Sequence, residues 1–226
     1  MEAIVAVKDL LEFISNELKI IDEFKKYTFS KNNRTLMYKL EDGYYRIELN
    51  TYKSFDLDRK EASNEVIPYY YRKFNILHDW FKKHSILSAS DFNARSSIFL
   101  EGSNLGFKDN FHFLITNQDF YQDFTMFKEQ LIKTEKCFLN RFQSLYDLYD
   151  FEVLPIVSNK DYKFNMNSDE DLFILLRLVY IVSPNDFEEL NNRVYNHFKI
   201  MCEDEHPHAL AYMPKYDEII SDLKMI

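Results

Sequence analysis

Glycine is nearly missing from this chain of 226 residues: Gly43, Gly102 and Gly106 are all it has. So few exclude an architecture of many tight turns, and they exclude the glycine-rich loops that cradle phosphate. The stretch Gly102-Ser103-Asn104-Leu105-Gly106 lacks the Gly-Lys-Ser/Thr ending of a phosphate loop and reads as a connection between strands. Proline is sparse too, with five residues, which leaves long helical patterns uninterrupted. Two cysteines, Cys137 and Cys202, are too few for a disulfide framework and suit a reducing compartment. The most apolar run, Leu172–Val182, has 11 residues broken by Arg177, well short of the ~20 a bilayer span needs. Residues 1–7 carry neither the basic start nor the apolar length of a signal peptide. The expectation is a soluble, cytoplasmic protein with no membrane partner.

Aromatic residues, by contrast, make up 17% of the chain, with 21 Phe and 16 Tyr. That is ample material for a packed core, so a disordered chain is excluded. Ile4, Val7, Leu11, Ile14, Leu18 and Ile21 recur every three or four residues and predict a helix over 3–26. The pattern then shifts to alternation on both sides of Asp42-Gly43, predicting a hairpin whose two central turn residues are Asp and Gly. Phe74, Leu77, Trp80 and Phe81 predict a second helix over 64–84, and Ser97–Leu100 with Phe111–Thr116 a second hairpin. From Phe120 to Tyr149 an apolar residue or Thr134 falls on every turn, predicting one helix over 119–149, about 45 Å long. Residues 152–166 read as either an extended segment or a loop. Beyond them, Ser168 with Asp171 resembles a capping box, Ser183-Pro184 begins a helix, Pro207 stops it, and 214–224 form a last helix.

The fold class that follows is α+β: antiparallel hairpins packed on helices, with a long central helix and a helical C-terminal portion. Charge marks a boundary near residue 167. Residues 168–226 hold 12 acids against 5 bases, a local −7, whereas the first 167 hold 25 against 23. We therefore divide the chain into an α+β body, 1–167, and an acidic helical subdomain, 168–226, expected to pack on the body as one domain.

Chemistry is thinly signposted. There is no Gly-x-Ser-x-Gly elbow and no His-Glu-x-x-His helix. Glu48 and Lys53 are five residues apart, on opposite faces of a strand, which fails the geometry of a nuclease pair. Arg72 and His78 have the Arg-x5-His spacing of a family of helical ribonucleases, where such a pair handles an RNA phosphate. This resemblance covers two residues and lacks the neighbouring polar residue, so the expected roles are structural, with Arg72 exposed and His78 beside Trp80. The richest polar stretch is Cys202-Glu203-Asp204-Glu205-His206-Pro207-His208. Cys202, His206 and His208 are zinc-competent, so a metal-dependent hydrolase or nuclease is one reading. A solvated acidic helix end is the other. Arg177, alone in the apolar run, is either an anion anchor in a pocket, a snorkelling edge residue or half of a buried ion pair.

No cofactor is called for, and enzymatic activity is not the favoured class. Acidity disfavours nucleic acid as a partner. The favoured function is a protein-binding or inhibitory module, of the kind that neutralises a toxin, offering Glu203, Asp204, Glu205 and nearby tyrosines to a basic protein. A second apolar stripe on the long helix (Tyr121, Met126, Ile132, Leu139) raises homo-oligomerisation as a further expectation.

Overall fold

A computed structural model describes residues 7–114, 120–159, 162, 164 and 169–225. The chain opens with α1 (Val7–Lys19), then β1 (Thr28–Phe29), β2 (Thr35–Leu40), β3 (Gly43–Asp56) and β4 (Glu61–Phe74). Short helices α2 (Asn75–His78) and α3 (Ala89–Ala94) precede β5 (Ile98–Glu101) and β6 (Phe111–Leu114). The remainder is helical: α4 (Phe120–Arg141), α5 (Leu145–Leu148), α6 (Leu154–Ser158), α7 (Asp169–Val182), α8 (Pro184–Glu203), α9 (Pro207–Tyr212) and α10 (Tyr216–Lys224). The fold is α+β, and no helix among the described residues is long and apolar enough to cross a membrane.

The chain forms two compact units. Met1–Lys73 with Ile98–Arg141 make the first, and Phe74–Ser97 with Phe142–Ile226 the second. Unit 1 holds the whole sheet, ordered β1-β2-β3-β4-β5 with β6 also on β4. Its core face presents Leu36, Tyr45, Ile47, Leu49, Val66 and Tyr70. Against this face α4 lays Phe127 and Phe138, whose rings meet Phe111, Phe113, Tyr45 and Tyr70, and Phe13 of α1 wedges between Phe120 and Phe124. Unit 2 is all helix, with Phe173 of α7 at its centre, ringed by Phe81, Phe198, Tyr212 and Tyr216.

The first hairpin forms one residue earlier than expected. Leu40 pairs with Gly43, so Glu41 and Asp42 are the turn and Gly43 begins the strand; neither turn residue has positive φ. Gly43 serves close approach instead, since a Cβ there would lie 1.8 Å from the Lys73 carbonyl oxygen. The expected helix over 64–84 is mostly strand. Residues 61–74 alternate in burial as β4, and helix begins only at Asn75. Pro68 fits because β6 pairs Ser63–Val66 and β5 pairs Tyr69–Arg72, leaving Pro68 between the two registers. β5 and β6 therefore do not form the expected hairpin with each other; both run antiparallel to β4, end to end.

The long helix also stops early. α4 has 22 residues, about 33 Å. A capping box then restarts the chain: Ser144 Oγ accepts the Asp147 amide, while Asp147 accepts the Ser144 amide at 2.8 Å. Local hydrogen bonding wins here over a continuous apolar period. Residues 149–158 are a π turn and α6, neither loop nor extended. Helix α1 starts at Val7 among the described residues, and the Ser168 cap lies outside them. Pro207 does not end α8, which stops at Glu203; it begins α9.

Candidate functional site

The C-terminal end of α8 concentrates the charge of unit 2. Glu203, Asp204 and Glu205 are all exposed. The amides of Asp204, Glu205 and His206 fold back onto the carbonyls of Ile200, Cys202 and Met201 at 3.1, 3.1 and 2.9 Å, closing the last turn. Glu205 takes φ +56°, a conformation that glycine or asparagine adopts more readily. No basic residue sits in the last turn of α8. A helix C-terminus is already a negative pole, so each carboxylate there works against the dipole by about 0.3–1 kcal/mol. Along the same helix Glu188, Tyr195 and Ile200 are also exposed, and Leu210 is exposed on α9.

The two histidines that follow stay partly exposed but meet a buried group. His206 caps α9, and the Nδ1 atoms of His206 and His208 stand 3.3 and 3.4 Å from one oxygen of Asp169, at the start of α7. Asp169 is buried, and that oxygen accepts no hydrogen bond among the described residues. Half-buried His197 feels the same group: burial pushes its imidazole below the ordinary range, Asp169 opposes this, and His206 adds to it. Thus His206 and His208 are gathered on a carboxylate. Cys202 is a half-buried free thiol, and among the described residues it belongs to no trio with ligand atoms within 4.8 Å of one another.

Arg177 is 1% exposed and is neither a snorkelling edge residue nor, among the described residues, part of an ion pair. Its guanidinium donates to the Leu223 carbonyl near the end of α10, a cation on the negative pole of that helix, while its Nε has no hydrogen-bond partner. Desolvation lowers its pKa, with Tyr180 opposing.

With this geometry in place, comparison adds nothing to it. No family model, curated protein or solved structure matches the chain.

Two further polar centres carry no sequence motif. In unit 2, buried Glu170 accepts from Ser85 Oγ at 2.9 and 3.0 Å, from the Ile86 amide at 3.1 Å and from the Tyr212 hydroxyl, with Arg95 3.5 Å away. Its donors come from three separate segments, so no spacing along the chain announces it. In unit 1, a cleft of about 440 Å³ opens beside the β3–β4 turn, lined by Phe55, Asp56, Arg59, Lys108, His112 and Met126 among others. Arg59 braces it, donating to Asp56 at 2.7 Å, to Asp123 at 2.8 Å and to the His112 carbonyl at 3.0 Å. Ser63 Oγ lies 3.0 Å from His112 Nδ1, and Glu65 lies 3.8 Å from Nε2. This is not a nucleophile with its base: Ser63 is buried, and Glu65 and His112 are a cross-strand pair.

The Arg72/His78 pair is divided between the units. Arg72 is buried, not exposed; it donates to Asp42 at 2.6 Å and stacks over Tyr45. His78 is hydrogen-bonded to Ser97 at 3.0 Å. On α4, Tyr121 and Met126 are exposed while Ile132 and Leu139 are partly covered, so the second stripe is interrupted.

Proposed function

We propose that the protein is a binding module whose unit 2 engages a basic protein through the C-terminal end of α8. The observation that carries this reading is the exposed run of Glu203, Asp204 and Glu205 at the C-terminal end of α8, with no basic residue in the last turn. A basic partner pairs with these carboxylates, and charge complementarity steers its approach. Exposed Tyr195, Ile200 and Leu210 on the same two helices supply apolar area for contact beside the charge. Steering by such a pole acts over about 8 Å at physiological salt, so association is sensitive to ionic strength.

The test is affinity capture followed by mass identification, with the wild type beside a Glu203→Gln, Asp204→Asn, Glu205→Gln variant at low and physiological salt. A basic protein held by the wild type, released by salt and lost by the variant supports the reading. A partner retained undiminished by the variant at low salt overturns it.

A further inference from the structure

A different cluster in unit 2 has the composition and spacing of a metal site. A 3-10 turn, Asp79–Lys83, ends at His84, whose ring is buried among Trp80 and Phe81. Facing it, Glu218 and Asp222 lie four residues apart and so on one side of α10. One ligand atom from each of His84, Glu218 and Asp222 falls within 4.8 Å of the other two. Among the described residues no other trio of His, Cys, Asp or Glu does so.

The position already attracts a cation. Lys83 Nζ lies 2.5 Å from the Asp222 oxygen that His84 Nε2 approaches at 2.7 Å. The Lys83 side chain is 65% exposed, so its ammonium can leave for water at little cost. Asp222 sits at the bottom of the group with only 12% of its side chain exposed, while Glu218 is at the rim.

We propose that His84, Glu218 and Asp222 bind a divalent transition-metal ion of the zinc class, and that the Lys83 ammonium holds its place when the ion is absent. One imidazole with two carboxylates suits zinc better than magnesium or calcium, which favour all-oxygen shells. Three protein ligands leave a fourth position for water at the exposed Glu218 side. With Lys83 displaced, two carboxylate charges meet two on the ion and the site becomes neutral. The ion also ties the segment after α2 to the last helix, so binding adds to the stability of the fold.

Full-length protein stripped with chelator is titrated with zinc chloride by calorimetry and thermal unfolding, with magnesium chloride alongside. One equivalent of zinc is expected, with a rise in Tm of about 5 °C or more at a hundredfold excess over Kd, and no response to magnesium. Glu218→Ala, at an exposed position, weakens zinc at least about tenfold, whereas Lys83→Met tightens it by about tenfold because no ammonium is displaced. His206→Ala with His208→Ala leaves this binding unchanged. No zinc binding in the wild type overturns the proposal. So does binding undiminished in Glu218→Ala, weakened in Lys83→Met, or removed by the His206/His208 change.

Discussion

The two units bury charge with a different balance of partners, although unit 2 also holds ion pairs, Arg95 with Asp171 and Asp222 with Lys83. Unit 1 answers charge with charge: buried Arg72 has Asp42, Arg59 has Asp56 and Asp123, and buried Glu135 has Lys26 at 2.9 Å. Unit 2 relies more on neutral dipoles. Glu170 takes a backbone amide and two hydroxyls before it meets Arg95 at 3.5 Å, and Arg177 has a helix-end carbonyl. The difference follows from architecture. The unit 1 pairs join different elements: Arg59 of the β3–β4 turn reaches Asp123 of α4, Arg72 of β4 reaches Asp42 of the β2–β3 turn, and Lys26 reaches Glu135 of α4. Packed helices offer their ends, where unpaired amides and carbonyls already act as partial charges.

The largest expected effect lies in unit 2. Glu170→Leu strands the Ser85, Ile86 and Tyr212 donors and leaves Arg95 without this partner, at a cost of about 3–5 kcal/mol. Trp80, the sole tryptophan, belongs to the same unit, so urea unfolding followed by its fluorescence reads the loss directly. An unchanged midpoint would show that the network contributes nothing.

Unit 1 is expected to be most sensitive at its backbone. Gly43→Ala forces a Cβ against the Lys73 carbonyl at φ +153°, costing about 3 kcal/mol by strain and displacement of β4. Circular dichroism during denaturation measures it. Gly106→Ala, also at positive φ but with nothing within 4 Å, is expected to cost about 1 kcal/mol and serves as the control.

Arg177→Met sharpens the comparison from the other side. Its charge has a carbonyl rather than a carboxylate, so an apolar side chain of similar length is expected to change stability by less than about 1 kcal/mol, or to increase it. A loss above about 3 kcal/mol would mean that the cap on α10 outweighs desolvation. The smallest effect is one of pH. His197 titrates below the ordinary range in the folded protein, so the unfolded chain takes up its proton first. The stability it contributes is whole above about pH 6.5, the unperturbed value, and declines as pH falls toward the lowered folded value. Replacing it with Gln should flatten the fall in Tm between about pH 7 and 5.

Helical patterning was legible wherever burial lay on one side. α1, α4 and α8 appear from their three- and four-residue spacing and α7 from its nearly continuous apolar run, and Pro184 stands at a first helical position as expected, whereas Pro207, expected to end α8, begins α9. β4 was not legible, because Phe74, Leu77, Trp80 and Phe81 match a helix period that belongs to the segment after it, and of the four only Phe74 lies in β4. His206 and His208 were visible as metal-competent residues, but Asp169 lies some 40 residues earlier and no local signal joins them. His84, Glu218 and Asp222 are more widely separated still, and only the i, i+4 carboxylates could have been noticed.

Composition and period alone determined that this chain folds as α+β, that its last third is helical and that its charge excess lies there. These are properties of single segments, set by how apolar and charged residues repeat along one helix or strand. Tertiary structure decided the rest: that Gly43 serves β4 rather than a turn, that β5 and β6 share β4, and that His84 meets α10. Each of these depends on which distant backbone or side chain arrives within about 3 Å, and hydrogen bonds and close packing act only over that range.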